Sequence, residues 1–210
     1  MDKKVVETLK KVGAIITSSH IVLTSGRHTD TYINPDSLLP NTKECSTIGK
    51  LFALKFKNKK IDLVAAPAVG GIIFSQWVAF HLSKLKGKNI SSVFTEKTPD
   101  KNQQFERGFE KLVKGKNVLV VEDITTTGGS VKKTVDAVRK AGGNVVAVSV
   151  IVNRDVKLVT EKTVGGPFFP LSTITVASYD EKECPLCENK VPINTDVGHG
   201  KEFLARHKKK

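Results

Sequence analysis

Glu122 and Asp123 are adjacent carboxylates that directly follow the apolar run 118–121. Four consecutive apolar residues are typical of a buried strand in a parallel sheet, and open α/β sheets bind ligands at the carboxyl ends of such strands. The segment Thr125–Ser130 then supplies four hydroxyl groups and two glycines, and a helix is predicted over 130–141. The pattern therefore predicts two acidic groups beside an anion-binding helix N-terminus.

A phosphate is the anion that this arrangement suits best, because successive backbone N–H groups and hydroxyls can surround it. The chain has neither a Gly-x-x-x-x-Gly-Lys-Ser/Thr motif nor a Gly-x-Gly-x-x-Gly motif after a strand, which argues against ATP or dinucleotide binding through those loops. Carboxylates beside a phosphate need hydroxyl donors, a metal ion or a developing positive charge. A ribose 5-phosphate that becomes cationic at C1 meets all three needs. The alternative is a capped helix with solvated carboxylates.

Segment Glu122–Ser130 resembles the phosphoribosyl diphosphate (PRPP) signature of the type I phosphoribosyltransferases. Three segments outside it resemble the orotate-specific family within that group, in its Thermus-type branch. Leu23–Asn34 resembles the N-terminal substrate-recognition segment, Pro67–Gly71 the pyrophosphate loop, and Val152–Arg154 the strand end that binds orotate. The resemblance implies transfer of ribose 5-phosphate from PRPP to orotate, which yields orotidine 5'-phosphate and pyrophosphate for pyrimidine biosynthesis.

The resemblance also implies the roles of individual residues. Catalytic roles fall to Asp123, Glu122 and Lys97. PRPP binding falls to Glu122, Asp123, Ile124, Thr125, Thr126, Thr127, Gly128, Gly129, Ser130, Ala68, Val69, Gly70, Gly71 and Lys97. Orotate binding falls to Thr126, Arg154, Ser25 and Gly26. Magnesium is expected to bind mainly through PRPP rather than through side chains, and a homodimer is expected.

Each assignment has a simpler alternative. Pro67–Gly71 would be an ordinary strand-to-helix turn, and the polar segment 96–108, predicted as a lid with cations at Lys97, Lys101 and Arg107, would be a mobile solvated loop. Arg154 would pair with Asp155 or Asp180 instead of a ligand carboxylate.

The sequence is also compatible with two other functions. One is a type I enzyme that acts on a purine or another base. The other is a non-catalytic, nucleotide-sensing regulator with the same fold. Thr24 stands where better-known orotate enzymes have lysine, and segment 96–108 lacks their histidine, so base specificity and the roles of single lid residues are left undecided.

Hydrophobic periodicity predicts helices at about 5–9, 44–56, 72–84 and 130–141, and strands at 61–66, 90–95, 118–121, 145–152 and within 171–177. Alternation of strands and helices predicts an α/β fold with a mostly parallel central sheet flanked by helices. A chain of 210 residues suits one domain. We expect one phosphoribosyltransferase domain over 1–210, with a core at about 44–156 and a small hood from about 1–40 and part of 157–210.

The net charge of +13 arises from 34 basic and 21 acidic residues. The lysines are scattered with few aromatic residues between them, so we expect a solvated surface and no nucleic-acid partner. The ending His207–Lys210 is predicted to fray.

No stretch resembles a signal peptide or a membrane span, which predicts a cytoplasmic protein with reduced cysteines. Cys184 and Cys187 have zinc-ribbon spacing but form only half a site, so a tight turn flanked by two thiols is the preferred interpretation. Bound zinc is the alternative, with Cys45 or a second subunit completing the site, and the sequence leaves this undecided.

Overall fold

Apolar strand segments and amphipathic helices alternate along most of the chain, and the computed structural model describes residues 3–23 and 25–207. Thr24 and residues 208–210 of the predicted frayed ending lie outside the described residues. The strands are β1 Ile15–Ile16, β2 Ile21–Val22, β3 His28–Thr29, β4 Tyr32–Ile33, β5 Leu63–Pro67, β6 Ser91–Lys97, β7 Gln103–Phe105, β8 Asn117–Thr125, β9 Asn144–Asn153 and β10 Ser172–Thr173. The helices are α1 Lys3–Lys11, α2 Thr42–Lys55, α3 Gly70–Lys86, α4 Glu110–Val113, α5 Gly129–Lys140, α6 Glu161–Val164, α7 Pro185–Glu188 and α8 Gly200–His207.

The chain forms two compact units, of which the first comprises residues 1–8 and 35–175. Its six-stranded sheet has the order β10-β9-β8-β5-β6-β7, and every neighbouring pair is parallel except β6 and β7. β5 is buried along its whole length, as expected for a central strand covered on both faces. This unit confirms the predicted α/β fold with a mostly parallel sheet.

Valine-rich strands and one face of α5 build the core below the carboxyl edge of this sheet. Val131, Val135 and Val138, which share one side of α5, are all buried against β5, β8 and β9. Their spacing of three and four residues matches the helical repeat, so burial of this face orients the N-terminus of α5 at the sheet edge.

Two predicted boundaries were wrong. The strand predicted at 118–121 continues through Thr125, because ladder pairing with β9 persists as far as Thr125 opposite Asn153. The acidic residues therefore lie within a paired strand. Segment 96–108 is not a simple loop, since Lys97 lies opposite Gln103 in an antiparallel hairpin. Its Thr98–Asn102 turn is closed by a hydrogen bond that Thr98 N donates to Asn102 O at 3.1 Å.

The second unit comprises residues 9–34 and 176–210. It contains two short antiparallel pairs, β1 with β4 and β2 with β3, together with α7 and α8. Isolated bridges join His28 to Tyr179 and His20 to Ile193, so the N-terminal and C-terminal segments are held together by backbone hydrogen bonds. The predicted division into a core and a hood stays a prediction.

None of the helices within residues 3–23 and 25–207 has the length and hydrophobicity needed to cross a membrane.

Candidate active site

The carboxyl ends of three parallel strands lie along one edge of the sheet in the first unit. β5 ends at Pro67, β8 at Thr125 and β9 at Asn153. The chain moves from β5 to β6 on one side and later returns to place β8 on the other side, so the edge between β5 and β8 is a topological switch point. Open α/β sheets bind ligands at such a point.

The acidic residues of β8 meet the loop after β5 at this switch point. Gly70 is the first residue of α3, and a Cβ atom built on it would overlap with Oδ2 of Asp123. Only glycine therefore fits at position 70 while Asp123 keeps its place. The structure brings the predicted pyrophosphate loop into contact with Asp123 of the predicted acidic pair.

Both carboxyls are partly buried and hold their protons more tightly than usual. Burial, together with the negative charge of Asp123, raises the pKa of Glu122 to about 8. Burial also raises the pKa of Asp123, although Ile124 N donates a hydrogen bond to Asp123 Oδ1 at 2.5 Å. Because their pKa values are raised, the ionised forms of these two carboxyl groups would be stabilised by hydroxyl donors or by positive charge nearby.

Asp36 is a third acidic residue that acts electrostatically on this site. Its negative charge is among the causes that raise the pKa of Asp123. Sequence reasoning missed Asp36 because it lies in a short 3₁₀ turn, Pro35–Ser37, almost ninety positions before Asp123. A polar segment rich in Ser, Asp and Pro gives no pattern that would single out this carboxylate.

The segment between β8 and α5 forms a cup of hydroxyls and backbone N–H groups. Gly128 has a left-handed conformation with φ of 78° and donates its N–H to Thr125 Oγ1 at 2.9 Å. Gly129 N donates to Thr127 Oγ1 at 3.4 Å. Thr126, Thr127, Gly129 and Ser130 are exposed, so the N-terminus of α5 is open to an anion from solvent. Thr125 is buried and shapes the turn from below.

Small residues shape the loop after β5. Ala68 N donates to Thr95 O at 2.8 Å, the peptide between Ala68 and Val69 is cis, and the Val69 side chain is 77% exposed. A Cβ atom on Gly71 would lie only 3.0 Å from Ala66 Cβ, so α3 packs closely on β5. The loop thus presents its backbone and the exposed Val69 side chain at the sheet edge.

Lys97 lies two residues past Thr95, which pairs with Pro67 at the end of β5. It is therefore placed on the carboxyl side of the sheet, and it is exposed. Arg107, another predicted lid cation, instead donates Nε–H to Glu96 at 2.8 Å. The third, Lys101, accepts a hydrogen bond through its carbonyl from Lys133 Nζ on α5.

Arg154 directly follows β9 and its backbone N–H donates to Thr125 O at 3.0 Å. This bond ties Arg154 to the end of β8. Asp155 and Asp180, the two carboxylates proposed as alternative partners of Arg154, make the following contacts. Asp155 Oδ1 accepts backbone hydrogen bonds from Lys157 and Leu158, each at 2.9 Å, and Asp180 pairs with Arg27 at 2.8 Å.

Ser25 and Gly26 belong to the second unit, at the tip of the β2–β3 hairpin. Leu23 N donates to Arg27 O at 2.8 Å, and Gly26 N donates to Leu23 O at 2.9 Å. Gly26 has a φ of 80°, which the tight turn requires. Arg27 is held by Asp180 and Ser178.

Comparisons with known proteins agree with this fold. Residues 34–164 match the phosphoribosyl transferase domain family. Orotate phosphoribosyltransferase from Thermoanaerobacter sp. is 38% identical over 191 residues, which cover 91% of this chain and 94% of that protein. The enzyme of the same name from Caldanaerobacter subterraneus is 37% identical, covering 91% of this chain and 94% of the relative.

A crystal structure of Mycobacterium tuberculosis orotate phosphoribosyltransferase in complex with PRPP shares the fold, with a TM-score of 0.62 at 22% identity, over 81% of this chain and 96% of that one. Fold and site together define a type I phosphoribosyltransferase. The chain belongs to the orotate phosphoribosyltransferase family, which confirms the resemblance seen in the sequence.

Proposed function

We propose that this chain transfers ribose 5-phosphate from PRPP to N1 of orotate, forming orotidine 5'-phosphate and pyrophosphate in pyrimidine biosynthesis. The bond from C1 to the pyrophosphate oxygen breaks, its electron pair leaves with pyrophosphate, and N1 of orotate forms the new bond to C1. Family membership supports this reaction. The observation that carries it is the partly buried pair Glu122 and Asp123 beside the hydroxyl cup of α5.

The cup Thr125–Ser130 holds the 5'-phosphate in this proposal. Exposed hydroxyls and N–H groups at the start of a twelve-residue helix give donors and a favourable dipole for an anion. Buried Thr125 keeps Gly128 in place through its 2.9 Å hydrogen bond. Held in this way, the phosphate fixes C1 relative to the acidic pair.

Glu122 and Asp123 bind the ribose 2'- and 3'-hydroxyls and stabilise positive charge as it develops at C1. Their raised pKa values indicate carboxylates that are poorly compensated in the protein alone. Hydroxyl donors and a cationic ring supply that compensation, and the second interaction is strongest in the transition state.

Ala68–Gly71 bind the pyrophosphate through backbone groups, and magnesium accompanies PRPP. The charge of Asp123 acts on Glu122 and that of Asp36 acts on Asp123, and such a group of acidic residues suits a divalent cation nearby. When bound to PRPP, magnesium neutralises charge on the leaving pyrophosphate. The close contact between Gly70 and Asp123 keeps the leaving-group loop against the acids.

Arg154 binds the carboxylate of orotate, because a guanidinium matches a carboxylate with two parallel hydrogen bonds. Its backbone bond to Thr125 places it beside the cup. Thr126, Ser25 and Gly26 supply further polar contacts to the base.

Lys97 of the β6–β7 hairpin binds the pyrophosphate in this proposal. The enzyme is a cytoplasmic homodimer, and the hairpin of each subunit covers the active site of the other subunit. Lys97 is exposed at the carboxyl side of the sheet, which supports a role in covering the site. Mixing inactive Asp123→Asn and Lys97→Ala chains tests the arrangement. Shared sites predict partial recovery of activity in the mixed dimer, whereas independent sites predict none.

The decisive assay follows the absorbance of orotate with PRPP and magnesium. We expect loss of orotate absorbance that requires both PRPP and enzyme, with equimolar release of pyrophosphate. A panel of adenine, hypoxanthine, uracil and orotate then identifies the base. Faster pyrophosphate release with a purine, or no release with any base, would contradict the proposal.

A further inference from the structure

Four metal-binding side chains converge in the second unit, and none of them has been assigned a role above. They are His20, His28, Cys184 and Cys187, and their ligand atoms all lie within 4.8 Å of one another. His20 directly precedes β2 and His28 is the first residue of β3, and the cysteines come from the C-terminal segment more than 150 positions later. Sequence reasoning recognised only the cysteine half of this cluster.

The distances resemble those of a tetrahedral metal site. Cys187 Sγ lies 3.3 Å from His28 Nδ1 and 3.7 Å from His20 Nε2, and Cys184 Sγ lies 3.9 Å from His20 Nε2. Zinc bonds of about 2.0 to 2.3 Å in a tetrahedron separate ligand atoms by about 3.3 to 3.8 Å. The two ring nitrogens are 2.8 Å apart, so they need to separate by only about 0.5 Å to reach that geometry.

The histidine rings are oriented for metal binding by contacts outside the cluster. His20 Nδ1 lies 2.7 Å from Val191 O, and a proton on Nδ1 leaves the lone pair of Nε2 directed at the cluster. The His28 ring packs edge-to-face against Phe203, with centroids 4.9 Å apart. Its outer nitrogen Nε2 is buried and has no hydrogen-bond partner among the described residues.

The backbone around all four residues is fixed as well. His28 and Tyr179 exchange two backbone hydrogen bonds of 2.8 Å, and Asn194 N donates to His20 O at 2.7 Å. Lys190 N donates to Cys187 O at 3.0 Å in the turn after α7, where Lys190 has a φ of 53°. His20, His28 and Cys184 are almost completely buried. Metal ligands are thus held in place by both chain segments.

We propose that His20, His28, Cys184 and Cys187 bind one structural zinc ion. Two thiolates and two imidazoles in a tetrahedron favour zinc over the oxygen-preferring cations magnesium and calcium. Four protein ligands close the coordination shell, which is the arrangement of structural rather than catalytic sites. The ion links the β2–β3 hairpin to the C-terminal segment within the second unit. This proposal is independent of the proposed function, because neither its residues nor its readout involves the reaction.

Metal analysis of the purified chain tests the proposal directly. Protein prepared with a reductant and without chelator is expected to contain about one zinc per chain by mass spectrometry. Cys184→Ser and Cys187→Ser are each expected to lower the zinc content at least tenfold. Cys45→Ser is the matched control, since Cys45 lies in α2 of the first unit and its thiol donates to Leu38 O at 3.2 Å. This variant keeps the metal.

Cobalt substitution of the wild-type chain covers the case in which a cysteine variant fails to fold. Tetrahedral cobalt bound by two thiolates gives intense visible bands and a sulfur-to-cobalt charge-transfer band in the near ultraviolet. We expect both bands to saturate at about one cobalt per chain and zinc to displace them. A reduced wild-type chain that takes up neither metal, or equal loss of metal in Cys45→Ser and Cys187→Ser, would overturn the proposal. A Cys184–Cys187 disulfide that persists under reductant would do the same.

Discussion

Gly70 and Asp123 lie so close together that a Cβ atom on residue 70 would overlap with the Asp123 carboxylate. The contact joins the start of α3 to the end of β8 at the switch point of the sheet. Glycine at position 70 therefore allows the Asp123 carboxylate to occupy this place, and it couples the loop after β5 to the proposed catalytic acid.

Gly70→Ala is expected to lower stability by about 1–3 kcal/mol, because the added methyl group must displace the Asp123 carboxylate or α3. It should also lower kcat/KM for PRPP by displacing the acid. A double-mutant cycle with Asp123→Ala isolates the contact, since removal of the carboxylate makes room for the methyl group. Denaturant unfolding should then show a smaller cost for Gly70→Ala in the Asp123→Ala background. If Gly70→Ala lowered the free energy of unfolding equally in both backgrounds, the contact between residue 70 and Asp123 would not contribute to its effect.

Asp123→Asn is expected to leave the fold intact and to lower kcat by about 10²–10³-fold, because the amide keeps the shape but loses the charge that stabilises the cationic ribose. Circular dichroism checks the fold, and the orotate absorbance assay gives the rate. Turnover at the wild-type rate would remove Asp123 from the mechanism.

The ligand-free protein should lose stability as the pH rises from about 4.5 to about 8, the ordinary and the raised pKa of Glu122. In this window the folded state retains a proton that the unfolded state has released, so each increase in pH favours unfolding. The raised pKa of Asp123 acts in the same direction. Burial lowers the pKa of His81, and this shift makes stability rise with pH. The effect of Glu122 must therefore be measured against a variant.

Glu122→Gln is that variant, and thermal unfolding across this range is the measurement. The gap in stability between Glu122→Gln and the wild type should widen towards pH 8 in favour of the glutamine. Parallel pH profiles for the two proteins would show that Glu122 is not the titrating group.

Thr125→Val is expected to cost about 1–3 kcal/mol of stability and to weaken PRPP binding, because Gly128 N would lose its buried acceptor. Thr125→Ser retains the hydroxyl and is the matched control. Calorimetric titration with PRPP and magnesium gives the affinity. If valine and serine behave alike, the hydroxyl does not shape the cup.

Arg154→Gln should raise the KM for orotate by at least about tenfold, since a charged hydrogen bond contributes about 1.5–3 kcal/mol, and should leave the KM for PRPP nearly unchanged. Preference for orotate over uracil, which lacks the carboxylate, should fall by a similar factor. If only the KM for PRPP changed, Arg154 would be a PRPP-binding residue and not an orotate-binding one.

Sequence patterns predicted the parts of this structure in which local chemistry and periodicity agree. The valine-rich strand before Glu122, the hydroxyl and glycine segment and the helix from about residue 130 all lie close to the predicted positions. The strand end was missed because Ile124 and Thr125 continue the β9 ladder through pairing that only the fold provides. The β6–β7 hairpin was missed because its short second strand is polar.

Contacts between distant segments were beyond sequence reasoning. Nothing in the sequence places Gly70 against Asp123 or adds Asp36 to the acidic site, because loop closure and sheet order bring these residues together. His20 and His28 likewise meet the Cys184 and Cys187 thiols only in the folded chain.

A crystal structure with PRPP and magnesium tests most directly the claim that the acidic pair and the cup bind an activated ribose phosphate. We expect the 5'-phosphate to bind the amides and hydroxyls of residues 126–130 and the ribose hydroxyls to bind Glu122 and Asp123. Full-occupancy PRPP bound elsewhere, with this cup empty, would contradict it.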